Sequence, residues 1–190
     1  MSNVLILGAN GSIARVATDL FLKDTDAKLT LYLRNARRLG SLDPEQVSVI
    51  EGDVLDSAKL KEAIAGQDVV YANLAGNLEQ QARGVVKAMG EAGVRRLIWI
   101  SSMGIYDEVS GQQYSSVLDP YRKSVRVVED SDLDYTILRP AWFTAADEID
   151  YETTRKGEPS EEASCRAKVS PPWSWHSRSR PTPRFAGVWA

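Results

Sequence analysis

The sequence predicts an α/β fold with a doubly wound parallel sheet, and three observations carry that expectation. Apolar runs without polar alternation recur along the chain, as strands covered on both faces require. Segments with apolar residues three and four apart fall between these runs, as helices lying on a sheet require. Strands and helices then alternate with short connections over the first 140 residues, the mark of successive β-α units.

The first strand is Val4-Leu5-Ile6-Leu7, four apolar residues in a row. It stops at Gly8, and after Gly11 and Ser12 an amphipathic run begins: Ile13, Ala14, Val16, Ala17, Leu20, Phe21. A strand, a tight glycine turn and a helix N-terminus together make an anion site. The turn leaves backbone N–H groups unpaired, and the helix dipole favours negative charge there by roughly 0.3–1 kcal/mol. In the pattern G-x-x-G-x-x-A, Gly8 permits the turn and Gly11 lets a pyrophosphate approach the backbone. Ala14 lets the helix lie close to the sheet.

Lys28 to Leu33 reads as the second strand and runs into Arg34-Asn35-Ala36-Arg37-Arg38. In a dinucleotide fold the residue closing this strand faces the adenosine ribose, where an acid suits a 2′-hydroxyl and an arginine a 2′-phosphate. Arg34 occupies that place with no acid beside it, which favours NADP(H) over NAD(H); a solvated basic loop is the other reading of the segment. A charge-assisted hydrogen bond of this kind contributes about 1.5–3 kcal/mol. Val47 to Glu51 is a third strand, followed by Gly52-Asp53-Val54. Asp53 is placed either to accept from an adenine amino group or to serve as a turn or N-cap aspartate. Ser57 to Ala65 makes a short helix. Asp68 to Leu74 makes a fourth strand, ending through Asn73 in Ala75-Gly76. Small residues at that carboxyl edge leave room for a cofactor across the sheet. Leu78 to Ala92 is a helix with Gly93 as its C-cap, and Val94 to Ser101 a fifth strand ending in Ser101-Ser102. A helix from Pro120 to Ser131 and a sixth strand, Tyr135 to Leu138, complete the series.

A chain of 190 residues suits one domain with a sizeable core, and an apolar fraction of 43% is ordinary for a globular protein. The net charge of −3 gives no reason to expect a nucleic acid partner. No run of eighteen apolar residues points to a membrane span, and Met1-Ser2-Asn3 leads into the first strand without an export signal. Cytoplasmic is the expected compartment. A small-molecule substrate is the expected partner, and a monomer and a homodimer both fit.

Four segments together resemble the atypical short-chain dehydrogenases: Gly8-Ala9-Asn10-Gly11-Ser12-Ile13-Ala14, Gly52-Asp53-Val54, Ser101-Ser102 with Tyr106, and Leu133-Asp134-Tyr135-Thr136-Ile137-Leu138-Arg139-Pro140. They are most similar to the NmrA-like, NAD(P)H-binding branch that includes NADH-flavin and quinone reductases. The resemblance covers roughly residues 3 to 158. It implies a Rossmann domain with a nicotinamide cofactor along Gly8, Asn10, Gly11, Ser12, Ile13, Arg34, Asp53, Val54, Asn73, Ala75, Gly76 and Ser101. Carbonyl-reducing members use Tyr-x-x-x-Lys, in which the lysine lowers the tyrosine pKa. Here Val125 stands four places after Tyr121, and Lys123 lies only two residues on, on another side of the helix. Ser101, Ser102, Tyr106 and Tyr121 remain as polar candidates near the nicotinamide. Each also reads as a capping serine or a half-buried tyrosine. Hydride transfer to a flavin or quinone needs no strong protein acid, so an oxidoreductase of that kind is the leading expectation. A redox sensor that binds NADP(H) and a protein partner without turnover is the alternative.

The composition shifts near Ser160, giving a Rossmann domain over 1–158 and an irregular, disordered tail over 159–190. The last thirty residues hold four of the eight prolines, three of the five tryptophans, His176 and Cys165, without any strand or helix period. Cys165 and His176 have no partners for a metal site or a catalytic triad. The codons permitted for Ser164 to Trp173 also allow, in another frame, the Val-Ser-Arg-Lys-Ser-Val-Ala-Ala-Leu helix with which the resembling family continues. A frame-shifted or truncated C-terminal element is therefore expected. An uninterrupted gene frame around codons 158–165, matched in close relatives, would remove that reading.

Overall fold

The computed structural model describes residues 2–40, 42–109, 115–143 and 155–156, with the backbone alone of Trp142–Phe143 and Ser164–Cys165. Six strands form one sheet: β1 (Asn3–Leu7), β2 (Lys28–Leu33), β3 (Val47–Glu51), β4 (Val69–Ala72), β5 (Arg96–Ile100) and β6 (Asp134–Leu138). Their order is β3-β2-β1-β4-β5-β6, and every pair is parallel. Leu5 on β1 lies opposite Thr30 on one side and Val70 on the other. The order reverses between β1 and β4, and an open sheet of this kind binds ligands at that switch point, beyond the carboxyl ends of the strands.

Alternate residues of the central strands feed two cores, because successive side chains of a strand point to opposite faces. One face carries Leu5, Leu7, Tyr32, Val70, Leu97 and Trp99. The helices α2 (Ser57–Ile64), α3 (Leu78–Ala92) and α4 (Asp119–Glu129) cover it with Leu60, Ala82, Val85, Met89 and Val125. The other face carries Val4, Ile6, Leu29, Leu31, Tyr71, Ile98 and Ile100, against Ala14, Ile13, Ala17 and Phe21 of α1 (Ser12–Asp24). Among the described residues, α1 is the helix that serves this second face.

The caps have local causes. Asp56 accepts the Lys59 N–H at 3.2 Å and starts α2. Gly93 ends α3 at φ +72°, in the left-handed region that favours glycine. Two sequence expectations are corrected. The β-α alternation breaks between β2 and β3, where a 3-10 turn, Ala36–Arg38, stands in place of a helix, so among the described residues the six-stranded sheet is accompanied by four α-helices. The segment from Arg34 to Gln46 contains Gly40 and Pro44 and lacks a helical apolar period, yet is long enough for a parallel crossover. The tail, expected to hold no strand, contributes a two-residue pairing of β8 (Ser164–Cys165) with β7 (Trp142–Phe143). Backbone hydrogen bonding needs no side-chain period. The rest of the expected tail, His176 included, lies outside the described residues.

Candidate functional site at the carboxyl edge of the sheet

The turn after β1 is tight because its backbone bonds fold it back. Gly11 N–H donates to Gly8 O at 2.9 Å, and Gly8 N–H to Tyr32 O at 2.9 Å. Gly8 takes φ +72°, and a Cβ there would stand 2.0 Å from the Asn73 carbonyl oxygen. A Cβ on Gly11 would stand 2.3 Å from Asn73 Nδ2. The small residues therefore admit the end of β4 against the turn, which the spacing alone did not reveal. Asn73 N–H closes the contact on Leu7 O at 3.0 Å. Helix α1 then begins at Ser12 with Gly11 as N-cap, a residue that has no side chain to place on the first N–H groups of the helix. Ala14 is fully buried, as close seating of the helix requires.

Beside this turn lies the loop after β2. Arg34 is exposed at the end of the strand, and Arg37 and Arg38 are exposed in the 3-10 turn that follows. Asn35 caps that turn by accepting Arg37 N–H at 3.0 Å. Asn10, expected on a cofactor, spends its side chain inside the protein, donating to Asn35 O at 2.9 Å and accepting from Arg15 at 2.9 Å. The strand register sets Glu51 opposite Leu33, and its carboxylate accepts the Ala36 N–H at 2.6 Å. An acid absent from the local sequence thus reaches the Arg34 loop from β3.

Asp53 behaves as a turn aspartate at one oxygen, accepting Leu55 N–H at 2.9 Å, while its carbonyl accepts the Tyr32 hydroxyl at 2.9 Å. Desolvation, and after it the charges of Asp56 and Asp53, push the Tyr32 hydroxyl up to about 12. The Val54 side chain, expected at the cofactor edge, is buried in the core with α2 and α3, because the chain must turn inward there to start α2. Ile13 likewise packs on the second core. Ala75 and Gly76 are exposed beyond β4, and the Ala75 carbonyl is held by Gln81 Nε2 at 3.2 Å.

At the end of β5, Ser101 is 5% exposed, and its Oγ has no hydrogen-bond partner. Buried hydroxyls are normally satisfied, so this one is open to a further polar partner, a state it shares with Trp99 Nε1, Gln67 Oε1 and Gln81 Oε1. Ser101 N–H is fixed to Leu138 O at 2.8 Å. Ser102 Oγ turns to Met103 O at 3.2 Å. Tyr106 is not brought to this edge. Its hydroxyl donates to Glu129 at 2.6 Å, at the far end of α4, and the ring lies 5.1 Å from the Arg139 guanidinium and 4.6 Å from Lys156 Nζ. Burial, and next the bond to Glu129, hold the Tyr106 hydroxyl well above the usual tyrosine range. Tyr121 is half-buried against the first core. Lys123 is exposed on another side of α4, toward Glu79 of α3, so the tyrosine and lysine do not act as a pair.

The loop carrying these groups is built by residues that periodicity did not single out. Glu108 accepts N–H groups of Gly104 at 3.1 Å and Tyr106 at 2.9 Å and pairs with Arg139, the two side chains being 5% and 11% exposed. Arg122 donates to the carbonyls of Ile105, Gly104 and Ser115. Their only local signal is an acid and two arginines flanking a loop, which also describes a solvated surface.

A glycine turn at a helix N-terminus, a cationic loop and an orphaned serine lie along one switch-point edge, the arrangement of a candidate dinucleotide-binding site. The NAD(P)H-binding family model matches residues 8–170, and the chain belongs to that family, in agreement with its resemblance to the atypical short-chain dehydrogenases. A Rossmann-fold NAD(P)-binding family protein from Shigella flexneri is 43% identical, with a TM-score of 0.74 over 86% of this chain and 80% of that one. A short-chain dehydrogenase/reductase from Veillonella parvula, solved in complex with NADP, is 31% identical, with a TM-score of 0.79 over 86% and 81%. Quinone oxidoreductase 2 of Escherichia coli is 23% identical over 145 residues, 74% of this chain and 49% of that protein. The chain spans about half the length of the curated relatives it matches. Among the described residues no helix is long and apolar enough to cross a membrane, and no cluster of His, Cys, Asp and Glu could hold a metal ion.

Proposed function

We propose that this chain is an NADPH-dependent oxidoreductase that passes hydride to a small acceptor such as a flavin or quinone. The observation that carries the proposal is the orphaned Ser101 hydroxyl on the same edge as the uncapped glycine turn. The N–H groups of the turn and the start of α1 receive the pyrophosphate, and Arg34 the 2′-phosphate. Asp53 faces the adenine, while Asn73, Ala75, Gly76 and Ser101 line the path to the nicotinamide, which supplies the hydride when bound. Ser101 Oγ orients the ring or acceptor by a hydrogen bond. With Lys123 turned away and Tyr106 tied to Glu129, neither supplies an activated proton donor among the described residues, which suits acceptors that take up hydride without one. The NADP complex of the Veillonella protein and the name of the Escherichia coli relative support this reading.

The same lack of a donor favours one rival: a sensor that binds NADP(H), contacts a protein partner and turns nothing over. Loss of NADPH absorbance at 340 nm with FMN and a panel of quinones separates the two. Multiple turnovers are expected; tight NADPH binding by fluorescence without turnover would leave the sensor, and absence of binding would overturn both.

A further inference from the structure

Two anion-binding elements of this edge, the glycine turn and the Arg34 loop, belong to different β-α segments, yet side chains bolt them together. Arg15, the fourth residue of α1, donates from Nε to Asn10 O at 3.2 Å and from Nη2 to Asn10 Oδ1 at 2.9 Å. The same Nη2 reaches Arg38 O at 3.4 Å. Asn10 in turn donates to Asn35 O at 2.9 Å, and Asn35 caps the 3-10 turn that holds Arg37 and Arg38. From the opposite side, Glu51 accepts the Ala36 N–H. The loop behind Arg34 is thus held at Asn35, Ala36 and Arg38 by groups from α1, the glycine turn and β3.

A cofactor that carries both a pyrophosphate and a 2′-phosphate hangs them on one ribose, at the 5′ and 2′ positions, so their separation is set by covalent geometry. A protein that grips both gains from holding its two anion sites at that separation beforehand, since loop ordering otherwise subtracts from affinity. A cofactor with a plain 2′-hydroxyl draws little from the Arg34 loop and is indifferent to how the loop is held. We propose that Arg15, acting through Asn10 and the Arg38 carbonyl, is a positioning residue that sets the preference for a 2′-phosphorylated dinucleotide. The guanidinium is suited to this because its planar fork makes several directed bonds at once, which a lysine in its place would not.

The proposal rests on the NADPH reading above, and the test separates the two. The whole chain, with Arg15→Ala, Arg34→Ala and both together, is titrated with NADPH and with NADH by fluorescence, and thermal unfolding is followed in parallel. Arg15→Ala is expected to weaken NADPH about tenfold and NADH less than twofold. In the Arg34→Ala background the further loss for NADPH should fall below twofold, because Arg15 works through that loop. Arg15→Lys, which keeps the stem and the charge, is the second variant if Arg15→Ala unfolds, with a loss in the same direction. Proportional losses for both cofactors would reduce Arg15 to a support for the turn and overturn the proposal. So would a full tenfold loss that persists without Arg34, since Arg15 would then act on its own. A wild-type chain that binds NADPH and NADH equally, or neither, would fail the functional reading before any variant is made.

Discussion

Arg34 carries the prediction at the scale of a single residue, since in a dinucleotide fold the position after the second strand separates a 2′-phosphate from a 2′-hydroxyl. Arg34→Ala is expected to weaken NADPH about tenfold or more, equivalent to at least ~1.4 kcal/mol, with NADH little changed. Equal loss of both, in the same fluorescence titration, would take Arg34 off the 2′-phosphate. Glu51 was hidden from that reading because it adjoins the Arg34 loop only through the β2–β3 register. The two glycines show the same division. Their spacing was plain, but the reason a side chain is barred at Gly11 is Asn73, which arrives from another strand.

At the scale of elements, the loop between β5 and α4 decides where Ser101, Ser102 and Tyr106 stand, and Glu108 organises it from within. Burial alone would raise the Glu108 carboxyl. Hydrogen bonds from backbone N–H groups, and then the charge of Arg139, outweigh it and hold the group below its ordinary value of 4.5. A carboxyl depressed by folding stabilises the native state fully above its unfolded value and loses that contribution as pH falls through the folded one. Glu108→Gln should therefore lower stability at pH 7 by roughly 3–5 kcal/mol, as expected when a buried ion pair loses one partner. It should also flatten the fall in melting temperature below about pH 4.5. An unchanged acid limb, measured by thermal unfolding from pH 7 to 3, would show that Glu108 does not carry this dependence. In the same element the Tyr106 hydroxyl, its aromatic face and the neighbouring cations make a contact that ties Lys156 to α4.

For the molecule as a whole, β1 is the axis on which both cores and the glycine turn depend. Leu5 is fully buried between β2 and β4 and belongs to the face covered by α2, α3 and α4. Leu5→Ala should cost about 2–5 kcal/mol, the range for deleting a buried leucine side chain into an unfilled cavity. A shift of the urea unfolding midpoint below the equivalent of 1 kcal/mol would show that the strand relaxes around the loss. The alternation of apolar strands with amphipathic segments everywhere but between β2 and β3, the helix after the glycine turn, the Gly93 cap and the missing tyrosine-lysine pair were determined by sequence alone. Each is a matter of local period, propensity or chain spacing. Tertiary structure alone decided which strands are neighbours, that Asn73 closes on Gly8, and that Glu108 meets Arg139. It also decided that Asn10 serves Arg15 and Asn35. These contacts join residues far apart in the chain, and no local energetic preference encodes a partner that only the folded sheet brings within reach.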